Sequence, residues 1–179
     1  MKIIVGLGNP GEQYKNTRHN IGWIALDIFL GDVKWIENKK FKSLIYQDGE
    51  NLFVKPLTFM NKSGESVRAI LDYYKLWPNE KEKKEADLNQ LLSVIHDDMD
   101  LFFGKHKIAT NSGSAGHNGI KSIIEHLDTQ KFTRLRLGIK NDLLKTYIPP
   151  DKFVLQPFSS NEKKQLKNDL KNFDLKNLK

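Results

Sequence analysis

The sequence predicts an α/β fold, a single domain in which helices flank a twisted mixed β-sheet, and three observations point there. Short β-branched or aromatic runs alternate along the chain with segments whose apolar residues recur at i, i+3, i+4 and i+7. One pair of runs, 44–47 and 52–55, is broken at Asp48-Gly49, a hairpin signal, so the sheet is mixed rather than purely parallel. The length of 179 residues fits one domain, 1–179, with a full hydrophobic core.

The first strand is expected over 2–5, around Ile3-Ile4-Val5, and runs straight into a polar stretch that ends at His19-Asn20. Ile21, Ile24, Ala25 and Ile28 then trace one face of a helix. After the hairpin, Val67, Ile70, Leu71 and Tyr74 trace a second helix beyond Met60-Asn61. Residues 78–90 (PNEKEKKEADLNQ) are almost wholly polar and read as a solvated loop or helical excursion. A strand over 92–96 should end in a bend carrying Asp97, Asp98 and Asp100, followed by a strand over 106–109. His117-Asn118 precede a third helical face, Ile120, Ile123, Ile124 and Leu127, and a strand follows over 134–139. A last helix should open at Ser159, because Ser159 and Glu162 have capping-box spacing.

Lysine and arginine number 29 against 22 acidic residues, a formal charge of +7, which suits a polyanionic partner. The absence of cysteine excludes disulfides, thiolate catalysis and cysteine-based zinc sites. The N-terminus turns glycine-rich too soon for a signal peptide, and no apolar run approaches membrane-spanning length, so a reducing cytoplasm is the expected location.

Gly6-x-Gly8-x-x-Gly11 after a strand has the form of a dinucleotide fingerprint. Pro10 removes an N–H from the turn, the helical pattern starts only near Ile21, and no acidic residue closes a second strand about 20 residues on. The glycines are better read as permitting a tight turn that presents Asn9 and lets another backbone approach. Three loops deliver an asparagine and a neighbour to a helix start, at His19-Asn20, Met60-Asn61 and His117-Asn118. In an open α/β sheet such loops gather along one edge. An aspartate of the 97–100 bend could fix a histidine tautomer and support its imidazolium; His96, Asp97, Asp98 and Asp100 could instead ligate a metal, though strand alternation turns Asp97 and Asp98 apart. With no Gly-x-Ser-x-Gly elbow, direct attack by water is favoured over an acyl-enzyme, and asparagine amides suit a developing oxyanion.

Five blocks carry a family resemblance: GLGNPGEQYKNTRHNIGW at 6–23, KPLTFMNKSGESV at 55–67, HDDMDLFFGK at 96–105, GHNGIKSI at 116–123 and FTRLRLGI at 132–139. In order and spacing they resemble the bacterial-type peptidyl-tRNA hydrolases. The resemblance implies a monomeric enzyme without cofactor that hydrolyses the ester joining a peptide to tRNA; no metal is expected, because strand alternation weakens the chelate and its remaining oxygen ligands have no source in the sequence. It places the general base at His19 and its orienting aspartate at Asp97. The peptide- and ester-binding asparagines fall on Asn9, Asn61 and Asn118, and further cleft positions on Tyr14, Met60 and His117. The phosphate-gripping positions are Lys107 and Arg136. The implied partner is peptidyl-tRNA, held by its acceptor stem and 3′ end, with no membrane and no obligate protein partner. The chain departs from the family at Ala109, where some members carry a lysine, and at 112–116 (SGSAG), where a paired glycine often precedes the histidine. Two rivals stay open on the residues alone: an inert RNA-binding module, which explains the charge, and a nucleotide-dependent oxidoreductase, which explains the glycines.

Overall fold

The computed structural model describes residues 1–77, 86–141, 148–171 and 173–178. Its strands are β1 (Lys2–Gly6), β2 (Ile36–Asn38), β3 (Ser43–Asp48), β4 (Asn51–Pro56), β5 (Leu92–Phe102), β6 (His106–Ala109) and β7 (Thr133–Lys140). They form one sheet in the order β2-β3-β4-β1-β5-β7-β6. The central strands β4, β1, β5 and β7 run parallel; β3 and β6 lie antiparallel at either side of them, and β2 pairs antiparallel with β3. The helices are α1 (Ile21–Leu30), α2 (Ser63–Tyr73), α3 (Asn118–Leu127), α4 (Pro150–Phe153) and α5 (Ser160–Lys171).

Strand alternation sorts the core onto the two faces of the sheet. Ile3 and Val5 of β1 join Val67, Ile70, Ile120 and Ile123 of α2 and α3 on one face. Ile4, between them, joins Ile21 and Leu26 of α1 and Leu166 and Leu170 of α5 on the other. Full burial of such a side chain stabilises by about 1.5–3 kcal/mol. Sheet and helices are therefore locked in register by their period-2 and period-3.6 patterns.

The expected strands and helices are present, with three corrections. The acidic residues do not end β5 in a bend: the strand continues through them to Phe102, and its pairing with β7 shifts between Asp98 and Phe102. Gly138 permits that irregularity, since a Cβ there would lie 2.1 Å from the Phe102 carbonyl oxygen. Strand β2 was not expected, being a three-residue, largely exposed edge. Residues 78–85 lie outside the described residues, but the end of the polar segment is not solvated throughout. Leu88 is buried in the α2/α3 core cluster, and its N–H donates to the Lys131 carbonyl. The helix at Ser159 has the expected capping box: Ser159 N–H donates to Glu162 Oε2 at 2.8 Å, and Glu162 N–H to Ser159 Oγ at 3.3 Å.

Gly6 and Gly22 show why the first loop carries glycine. A Cβ on Gly6 would stand 2.4 Å from the Gly22 carbonyl oxygen, and one on Gly22 would stand 2.4 Å from Ile95 O and Leu7 N. Helix α1 thus lies directly on the end of β1 and the neighbouring Ile95 of β5, which brings the residues just before it to the carboxyl end of β1.

Candidate active site

His19 sits in a 3-10 turn, Arg18–Asn20, immediately before α1. Its backbone N–H donates to the Val154 carbonyl at 2.8 Å, and Arg18 N–H to Gln156 O at 3.0 Å, so the segment after α4 pins this turn. The His19 side chain turns toward β5, where Nδ1 stands 2.8 Å from Asp97 Oδ1. Facing a carboxylate oxygen, Nδ1 carries the hydrogen, which leaves the lone pair on Nε2. Alternation along β5 sends the next carboxylate the other way: Asp98 accepts from Arg136 Nε and from the Asp100 N–H.

Asp97 Oδ1 has a second donor. His117 Nε2 lies 2.9 Å from the same oxygen, and the His19 and His117 rings are 4.9 Å apart. His117 is also the N-cap of α3, with Nδ1 accepting from Gly119 N–H at 3.1 Å and Ile120 N–H at 3.3 Å. An imidazole nitrogen that accepts two amides has no hydrogen, so Nε2 is the donor to Asp97. One carboxylate oxygen therefore orients two histidines.

The electrostatics follow from this packing. Burial pulls the His19 pKa down, but the charge of Asp97 and the hydrogen bond to it together outweigh that and raise it above its ordinary value. Burial pushes Asp97 up, yet His19 and His117 hold it well below the usual carboxylate range. His96 is held well below the histidine range, first by burial and then by its neighbour His117. Its Nδ1 donates to the Asp97 carbonyl at 2.7 Å, and its buried Nε2 has no partner among the described residues.

The metal alternative, His96 with the three aspartates, does not converge: Asp98 faces Arg136 and His96 faces a backbone carbonyl. His19, Asp97 and His117 do bring one ligand atom each within 4.8 Å of one another. Each histidine, however, presents an N–H to Asp97 in the geometry above, and the remaining nitrogen of His117 is engaged by helix amides. This donor set is arranged for hydrogen bonding rather than for a cation.

A cleft of about 600 Å³ is lined by His19, Asp97, His117 and Asn118 together with Arg134 and Arg136. The other candidates form an adjoining group. Asn9 Oδ1 accepts the Met60 N–H at 2.8 Å, leaving its amino group as the donor it can still offer. Met60 Sδ would lie 2.5 Å from a Cβ on Gly119, so this group abuts the start of α3. Asn61 and Asn118 are exposed, and Tyr14 is half-buried with its ring 6.5 Å from that of Phe59. Asn20 does not reach the cleft: fully buried, it brackets the backbone of Asn9 by two bonds of 2.9 Å. Lys107 and Arg136 are cross-strand partners on β6 and β7, but only Arg136 lines the cleft, and its charge is shared with Asp98.

Sequence reasoning missed three contributors. The bond from His117 to Asp97 joins the loop before α3 to strand β5, with no local signal of contact. Arg134 was seen only as part of a family block. Arg18, which is 2% exposed, lies between the Phe153 and Phe158 rings, 4.9 Å from each centroid, and pairs with Glu162 at 2.9 Å.

With this geometry in place, the comparisons with known proteins are specific. The family model described as peptidyl-tRNA hydrolase matches residues 3–175. A peptidyl-tRNA hydrolase of Mycoplasma capricolum is 46% identical over 177 residues, covering 96% of this chain and 88% of the relative. One of Gloeobacter violaceus is 40% identical over 176 residues, covering 93% of this chain and 80% of that one. Among solved structures, peptidyl-tRNA hydrolase from Acinetobacter baumannii superposes with a TM-score of 0.76 at 28% identity, over 95% of this chain and 83% of that one.

Proposed function

The chain belongs to the peptidyl-tRNA hydrolase family, and from that premise we propose how its activity, hydrolysis of the ester between peptide and tRNA in peptidyl-tRNA, is carried out by the residues of this cleft. His19 Nε2 takes a proton from a water molecule whose oxygen attacks the ester carbonyl carbon. Asp97 holds the ring in the Nδ1–H tautomer and supports the imidazolium as it forms. The carbonyl oxygen gains negative charge in the tetrahedral intermediate, and side-chain amides from the set Asn9, Asn61 and Asn118 bind the peptide and donate to that oxyanion. The intermediate collapses by breaking the carbon–oxygen bond to the terminal ribose, and His19 returns its proton to the ribose oxygen. Free tRNA and a peptide carboxylic acid, which ionises by releasing its proton to solvent, are the products.

The single observation that supports this reading best is the 2.8 Å contact of His19 Nδ1 with a buried carboxylate, on the wall of a cleft large enough for a peptide ester. Tyr14, Met60 and His117 line the peptide side of the site in this proposal. Lys107 and Arg136 grip tRNA phosphate, with no need to read bases. The enzyme acts as a monomeric single domain, 1–179, in the cytoplasm, without cofactor or metal. No helix among the described residues is long and apolar enough to cross a membrane.

The test is to mix purified protein with N-blocked aminoacyl-tRNA in EDTA with no added nucleotide. Release of the acyl group is expected. Binding without turnover would indicate an inert RNA-binding module, and activity lost in EDTA but restored by a divalent ion would return a metal to the mechanism.

A further inference from the structure

The cleft has a buried cation that the reaction above leaves without a role. Arg134 of β7 is 2% exposed and lines the cleft, yet no carboxylate pairs with it among the described residues. Its guanidinium donates instead to two consecutive carbonyls of the loop before α3: Nη1 to Gly113 O at 2.7 Å, and Nη2 to Ser112 O. It rests over the Phe132 ring, 4.6 Å from the centroid. Burial, and then the neighbouring Arg136, bring its pKa down to about 10, so it remains a cation at neutral pH.

The loop it holds is strained. Asn111 and Ala115 both have φ near +47, in the left-handed region, which asparagine tolerates but which costs Ala115 roughly 1–2 kcal/mol. Such a conformation persists only where surrounding contacts enforce it. From the held carbonyls the chain passes to Ser114, whose carbonyl accepts the His117 N–H at 2.9 Å, and then to the His117 ring on Asp97. Asn118 follows directly.

We propose that Arg134 is a positioning residue, a buried latch that fixes loop 111–116 over the cleft and thereby sets His117 and Asn118 for the peptide end of the substrate. The role rests on the esterase reading above. Arginine suits it because a rigid fork can engage adjacent carbonyls at once, whereas a lysine ammonium is a single point.

Two variants test it, Arg134→Lys, which keeps the charge but not the fork, and Arg134→Ala, which leaves a space guanidinium ion can enter. In both, amide hydrogen exchange at 112–118 should quicken about tenfold or more while β5 stays protected, because a held loop becomes a locally opening one. The KM for N-acetyl-aminoacyl-tRNA should rise about tenfold, the pattern of lost binding, and any fall in kcat should be smaller than that, arising from Asn118 and His117. Added guanidinium should lower KM for Arg134→Ala and leave Arg134→Lys unchanged. Unaltered exchange in the loop would remove the latch. Faster exchange with unchanged KM, or a fall in kcat alone, would each overturn the positioning role. Exchange is read without substrate, so a failure of the esterase reading would show separately, as wild-type protein that does not release the acyl group. If neither variant folds, a glycine pair inserted between Asn111 and Ser112 frees the same carbonyls from the loop side, and the same readouts decide.

Discussion

His19 carries the proton transfer in this account, so His19→Ala should lower kcat about 10²–10⁴-fold with a smaller effect on KM, the range for losing a positioned general base. Steady-state kinetics on folded variant checks this, and near-normal kcat would remove His19 from the mechanism. Asp97→Asn should be less damaging than His19→Ala but more damaging than Asp98→Asn, because Asp98 faces Arg136 and not the histidines. The reverse order would mean that the wrong aspartate has been assigned. That division was legible in the sequence, since neighbours along a strand point to opposite faces. The second histidine on Asp97 was not. His117 lies 20 residues away in the loop before α3, and α3 amides bond the other nitrogen of the ring that meets Asp97.

The turn that holds His19 depends on the C-terminal helix. Glu162 caps α5 through Ser159, pairs with the buried Arg18, and accepts from Asn141 at 3.1 Å. Burial pushes the Glu162 carboxyl up, but its bonds with Ser159 and the Arg18 charge hold it below its ordinary value. Its share of stability is therefore present above the ordinary carboxylate range and is lost as pH falls through the lowered value. Glu162→Ala leaves Arg18 buried without its counter-charge and should cost about 3–5 kcal/mol. Thermal or urea unfolding measures that cost, and a loss below about 1 kcal/mol would show a solvent-screened pair instead. The capping box announced itself in sequence because its two residues are three apart, whereas the partnership of Arg18 with Glu162 spans the chain. Strand β2 escaped notice because it has no buried face to impose alternation. The length of β5 escaped it because aspartates usually close strands, and here Gly138 and Arg136 on β7 accommodate them.

The α/β order was readable because each parallel strand and its helix carry distinct periods, and three of the five family blocks span a loop into the helix that follows it, while the other two lie on β5 and β7. The placement of charge was less so: Lys107 and Arg136 meet as cross-strand partners, yet Arg136 is partly neutralised by Asp98. If they grip phosphate, alanine at either position should raise KM for intact tRNA substrate with kcat nearly unchanged, and should reduce the slope of log affinity against log salt by about 0.7–0.9. An unchanged slope, or an equal loss on a short 3′-terminal fragment, would place the tRNA contact elsewhere. If Asp97 supports the imidazolium of His19, the pH profile of kcat/KM must differ between wild type and Asp97→Asn. Neutral His19 is the active form and its pKa is raised, so the wild-type profile should rise with pH through one ionisation whose midpoint lies above the ordinary histidine value of 6.5. Removing the Asp97 charge leaves burial, which lowers that pKa, and the midpoint should move to lower pH as the maximal rate falls. A midpoint that stays in place in Asp97→Asn, or a wild-type profile flat across that range, would contradict the pairing on which the account rests.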